Sequence, residues 1–198
     1  NVQPFLDFVQ ISYRTLPTSL KKNFAQPETS PGVPMNLNTF APKSTASFRV
    51  LTECPLTVML LFQMYPKYIS KNLMQLLPLM MDCLAQRPPP HAAAILAASP
   101  DKPIKVSSDK SADEETSKTT ASKAYYYKRS RELLSAQVKT LSFVTHLLRG
   151  YGEQMKPYED SLATNVLSLF QMCPREALAT RKDLLLALRH IFATDFRK

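Results

Sequence analysis

The string Leu61-Phe62-Gln63-Met64-Tyr65-Pro66 returns as Leu169-Phe170-Gln171-Met172-Cys173-Pro174. The two copies stay in step past the proline: Leu76 corresponds to Leu184, Leu77 to Leu185, Met80 to Leu188 and Leu84 to Phe192. Each copy reads as helix, proline turn, helix. An isolated helix pair cannot bury two apolar faces, whereas stacked pairs hide them in a continuous core. The repeat therefore predicts an all-α chain built as a HEAT/armadillo-like α-solenoid of stacked helix pairs. A four-helix bundle fits less well, because bundles prefer evenly long helices joined by short polar loops, and here proline-split short helices dominate.

Apolar spacing supports the helical reading throughout. Only three glycines stand against 16 prolines, and apolar residues recur every three to four positions rather than alternately. Phe5, Leu6, Val9, Tyr13 and Leu16 form one side of a helix interrupted at Pro17 and resumed to Phe24. Proline disfavours the α conformation in the residue before it and suits a first helical turn. Cys54-Pro55 is thus expected to end one helix and start another, and Tyr65-Pro66 to do the same. Ile69, Leu73, Leu76, Met80 and Leu84 then make a stripe, with a kink expected at Pro78.

Further along, Leu134, Val138, Leu141 and Leu148, flanked by Leu133, Ala136, Val144 and Leu147, give an apolar surface wide enough for neighbours on two sides. After a turn from Gly150 to Pro157, a helix buries Leu162, Val166, Leu169 and Phe170. The last helix carries Leu178, Leu185, Leu188 and Phe192 on one stripe, with Leu184 and Ile191 beside it.

Two segments break the pattern. Residues 26–43, rich in Pro, Asn and Thr, read as a loop. Residues 87–123 combine Pro88-Pro89-Pro90, an alanine patch and a Ser/Lys/Asp/Glu/Thr mixture, which predicts a disordered polar, proline-rich insertion extruded from one turn of the stack. The chain divides into helical repeats over 1–86, the insertion over 87–123, and helical repeats over 124–198. A start at Asn1 and an end just past a periodic helix read as cuts in a much longer solenoid.

The chemistry-bearing residues point away from catalysis. Cys54, Cys83 and Cys173 are far apart and lack a CxxC pair or a histidine at ligand spacing, so no disulfide framework or metal site is expected. No serine or cysteine sits in a nucleophile motif, and His91, His146 and His190 read as helix-surface or loop residues. Glu159-Asp160 falls where a helix dipole favours negative charge. No catalytic residue, cofactor or small-molecule substrate is expected, and no apolar run is long enough for a membrane span.

The formal charge of +9 permits contact with acidic partners, but the basic residues are spread along the chain, which argues against direct nucleic-acid binding. Tyr125-Tyr126-Tyr127-Lys128-Arg129-Ser130-Arg131 mixes aromatic and basic groups, yet successive tyrosines on a helix point in three directions. One packed ring beside a solvated basic face accounts for it. Met59, Met64, Met74, Met80, Met81 and Met172 read as gap-filling core.

Specific strings go beyond fold. Ser47-Phe48-Arg49-Val50-Leu51-Thr52-Glu53-Cys54-Pro55, Ala136-Gln137-Val138-Lys139-Thr140-Leu141-Ser142-Phe143 and Arg181-Lys182-Asp183-Leu184-Leu185 with Arg189-His190-Ile191-Phe192-Ala193-Thr194-Asp195-Phe196-Arg197 closely resemble the N-terminal HEAT region of the TRRAP family. The likeness covers most of 44–86 and 125–198 and includes polar residues that periodicity does not demand.

The resemblance implies a segment of a phosphatidylinositol-kinase-related pseudokinase of the nucleus. It would be a non-catalytic scaffold within SAGA-type histone acetyltransferase complexes that contacts transcriptional activators and acetyltransferase complex subunits. On that reading, Lys128, Arg129, Arg131, Arg149, Arg181, Lys182 and Arg189 border a partner-contact groove for acidic-hydrophobic segments. The alternatives are the solenoid of an active kinase of the same broader family and a HEAT-type transport receptor.

Overall fold

Proline in a first helical turn sets several of the observed boundaries. The computed structural model describes residues 2–25, 46–98 and 114–194. Helix α1 (Gln3–Arg14) gives way at Thr15 to α2 (Leu16–Asn23), whose first turn holds Pro17. Helix α3 (Ala46–Met64) ends at Tyr65, and α4 (Pro66–Ala85) begins on its proline. Then come α5 (Pro90–Ala97), α6 (Glu114–Leu147), the short α7 (Gly152–Met155) with a 3-10 turn at Lys156–Tyr158, α8 (Glu159–Met172) and α9 (Leu178–Phe192). No strand occurs among the described residues.

The helices stand in two rows. In one, α3 packs on α6 and α6 on α9; in the other, α1 packs on α4 and α4 on α8. The hairpin α3–α4 and the link from α8 to α9 tie the rows together, and α5 lies over α6 and reaches α8. This double layer is the expected α-solenoid. Its shared interior holds Leu6, Phe48, Leu51, Leu76, Leu84, Leu141 and Phe143, all fully buried. Burial of each such side chain contributes about 1.5–3 kcal/mol. Both flanks of α6 are buried, as the width of its apolar surface requires.

Several expectations are corrected. The repeated string marks a turn in both places, but α3 and α8 precede those turns from different rows, so the copies are half a unit out of phase. Proline at a helix start serves a crossing in either direction, and the string records the turn rather than the layer. Pro55 does not divide a helix: α3 runs through it. Phe48, Leu51, Cys54 and Val58 form one buried stripe across the proline, and a break would rotate one half away from α6.

The disordered insertion expected over 87–123 is ordered at both ends. Pro90 opens α5, and Ala92 and Leu96 are buried. Alanine adds little to an apolar pattern but lets helices approach closely. Helix α6 begins at Glu114, well before the expected Ala124. Extending a helix already nucleated costs little per residue, and the sequence from Glu114 to Lys123 holds no glycine or proline to stop it. The remainder of that segment, 99–113, and the loop expected over 26–43 lie outside the described residues. In α9 the core face is Leu184, Ala187 and Ile191, while Leu178, Leu185 and Phe192 point outward. Met80 and Met81 fill the core, but Met64 and Met74 are exposed.

Candidate partner-contact surface

The row of α3, α6 and α9 leaves a groove across its outer face. At one end it is lined by Glu53, Pro55, Leu56 and Met59 of α3, Lys139 and Phe143 of α6, and Asp183 of α9. Met59 and Ser142 carry it onward to Thr145 and His146 at the end of α6, to Arg149 in the turn that follows, and to Leu186, Ala187 and His190 of α9. Lys139 Nζ reaches Asp183 Oδ2 at 2.9 Å and clips α6 to α9 in the first half. In the second half, Arg149 Nη2 lies 3.1 Å from His190 Nδ1. A guanidinium can only donate, so the ring nitrogen of His190 is the acceptor in this contact. Burial, then the charges of Arg149 and His190, hold the His146 pKa below its ordinary value.

The basic residues singled out from sequence do not border one groove. Of them, Arg149 alone lines the α3–α6–α9 groove. Arg131 turns toward the α8–α9 connection: its Nη1 donates to Tyr127 Oη at 3.1 Å and lies 4.0 Å from Glu176. Tyr127 in turn donates to Glu176. Arg181 lines a hollow at the same connection with Arg175, Glu176, Phe170 and Leu96.

Arg129 pairs with Glu132 and stacks 5.2 Å over the Tyr125 ring. Lys128 is exposed on α6. Lys182 and Arg189 are exposed on the outer side of α9, spaced by threes and fours between Leu178, Leu185 and Phe192.

The three tyrosines diverge as expected. Tyr126 is buried between Phe24 and His91 and donates to Ala25 O, Tyr125 donates to Asn23 O, and Tyr127 reaches Glu176. Sequence reasoning set His146 and His190 aside as surface residues and passed over Lys139 and Asp183. His146 in the last turn of α6 and Arg149 just after it line the same end of the groove. Their convergence with α9 depends on the row geometry. The thiols of Cys54, Cys83 and Cys173 are buried and unbridged. Among the described residues no group of His, Cys, Asp or Glu could hold a metal ion, and no helix is long and apolar enough to cross a membrane.

Two rows of packed helices with a solvent-facing groove define a helical-repeat segment. Residues 129–198 match the family described as the Tra1 HEAT repeat central region. The chain belongs to the Tra1/TRRAP family.

It is 33% identical to the SAGA complex/NuA4 acetyltransferase complex subunit Tra1 of Schizosaccharomyces pombe, over 99% of this chain and 6% of that protein. It is 32% identical to a probable transcription-associated protein 1 of Dictyostelium discoideum, over 78% of this chain and 3% of the relative. It is 26% identical to the human transformation/transcription domain-associated protein, over 99% of this chain and 5% of the relative. The chain thus spans only a small part of these relatives. The matching description is of the central HEAT region, whereas the sequence resemblance points to the N-terminal one. No solved structure is a significant match.

Proposed function

We propose that this chain is a non-catalytic scaffold segment of a transcription coactivator subunit of SAGA-type histone acetyltransferase complexes in the nucleus. Its buried rows supply stiffness, and its outer faces contact activators or other subunits. The observation that carries the reading is the likeness, along nearly the whole chain, to a relative named as a SAGA and NuA4 complex subunit. The architecture agrees: the α3–α6–α9 face offers a long groove with apolar walls and charged ends.

The basic residues Arg131, Arg181, Lys182 and Arg189 sit around two further places, the α8–α9 connection and the outer side of α9, while Lys128 is exposed on α6. We assign these to contacts with protein partners rather than to nucleic acid. Arg131 already faces Glu176, and Lys182 and Arg189 alternate with apolar side chains instead of forming a continuous basic track. Affinity capture from nuclear extract with the chain as bait tests the role. Recovery of acetyltransferase-complex subunits is expected, and recovery of nuclear transport factors alone would overturn it.

A further inference from the structure

The hollow at the α8–α9 connection carries more positive charge than its surroundings cancel. Arg175, Glu176 and Arg181 line it together with Leu96, Phe170 and Met172. Glu176 is already engaged: it accepts from Tyr127 and faces Arg131 at 4.0 Å. Arg131 and Glu176 balance each other, which leaves two cations. No acid pairs with Arg175 or Arg181 among the described residues. The neighbouring carboxylates on α6 and α9 are taken, Glu132 by Arg129 and Asp183 by Lys139. Burial raises the Cys173 thiol pKa, and the charges of Arg181 and then Arg131 pull it back ahead of the push from Glu176. Positive charge therefore dominates beside a thiol that lines the hollow.

We infer that this hollow seats a phosphorylated serine or threonine of a protein partner, with Arg175 and Arg181 on the phosphate and Leu96, Phe170 and Met172 against an apolar residue beside it. A carboxylate would match one guanidinium and leave the other without a counter-charge. A phosphomonoester carries nearly two charges at neutral pH and offers three acceptor oxygens to two planar donor forks. The apolar wall favours a peptide over free phosphate. A nucleic-acid backbone needs a continuing row of cations, whereas the hollow holds a single group of them with Glu176 in its midst. The inference rests on the scaffold reading and deepens it by naming one seat and the chemistry that fills it.

Immobilised dodecapeptide libraries, randomised around a central phosphoserine, serine or glutamate, test the seat with the full chain and no extract, so the result is separable from that of the capture experiment. The phosphoserine library should retain the chain about tenfold better than either of the others, with Leu, Met or Phe selected beside the phosphate. Arg175→Gln and Arg181→Gln should each weaken a selected peptide about tenfold in fluorescence anisotropy. Lys182→Gln, on the outer side of α9, should leave its affinity unchanged. Arg175 is exposed, so its variant decides the matter even if replacing the half-buried Arg181 disturbs α9, and circular dichroism melting compares the two. The seat is overturned if the serine or glutamate library is retained equally, if Arg175→Gln binds as wild type does, if Lys182→Gln weakens binding as much, or if a short DNA duplex binds and the phosphopeptides do not.

Discussion

The hydroxyls of Tyr13 and Thr140 lie 2.8 Å apart in the buried interior, joining α1 to α6 across 127 residues of sequence. Cys83 Sγ approaches the same threonine at 3.9 Å. Three helices from both rows thus meet at one polar point. Removing one hydroxyl strands its partner without water. Tyr13→Phe is expected to cost about 1 kcal/mol, and Thr140→Val about 2 kcal/mol because the tyrosine hydroxyl is then left buried. The double variant should be less destabilised than the two singles combined. Urea unfolding of all four proteins measures the coupling, and strict additivity would show that the contact contributes nothing.

Gln137 makes a second link between rows. Its Nε2 donates to Cys83 O at 2.9 Å and to Gln86 O at 2.7 Å, at the C-terminal end of α4, where Cys83 O also accepts from Gln86 N at 3.2 Å. Arg87 assists by donating to Gln86 O and to Asn165 of α8. Gln137→Leu is expected to destabilise by about 1–3 kcal/mol, with faster amide exchange in the last turn of α4. Unchanged exchange there would remove the capping role.

Burial pushes the Cys83 thiol up to about 12 from an ordinary 9.0 and raises the Tyr13 phenol well above its usual 10.0. Both groups are held protonated in the folded chain. Unfolded, the thiol ionises near 9 while the folded form resists until about 12. The stability this contributes is complete below pH 9 and is lost as pH rises through that window. The melting temperature should therefore fall above that point, and fall less steeply in Cys83→Ala. Identical alkaline slopes in the two proteins would contradict the thiol's part.

Lys139 and Asp183 are close but partly exposed, so solvent screens their attraction. Asp183→Asn should change stability by less than about 1 kcal/mol. A loss several times larger would mean that the pair is needed to hold α9 in place.

The sequence disclosed what depends on local rules. Pro66 starts a helix because a first-turn residue needs no N–H, and the stripe Leu73, Leu76, Met80 and Leu84 is buried as its spacing demands. What escaped depends on neighbours. Pro55 breaks an isolated helix, but α6 holds both halves of its stripe. The alanine run of α5 gains its place by packing on α6, where Ala92 and Leu96 are buried and His91 meets Tyr126 edge to face at 4.9 Å. The groove was legible in Arg149, whose neighbour His146 lies one turn away, and illegible in His190, which only the pairing of α6 with α9 brings near.

The outward stripe of α9 leaves Leu178, Leu185 and Phe192 exposed at 75%, 58% and 55%. Such a row promotes self-association. Replacing Leu185 and Phe192 together by glutamate should reduce oligomers in sedimentation velocity while leaving stability within about 0.5 kcal/mol per site. An unaltered sedimentation profile would detach the stripe from self-association.

Helix α6 has 34 residues and, unlike α3 and α4, contains no proline. At 1.5 Å per residue it is a rod of about 50 Å without a joint. Tyr125 and Tyr126 fasten it near Asn23 and Ala25, and farther along it bears on α9. Tilting such a beam by about five degrees at one end swings the other by about 4 Å. A push on the tyrosine anchorage therefore travels to α9 as displacement, with no hinge along the way to absorb it.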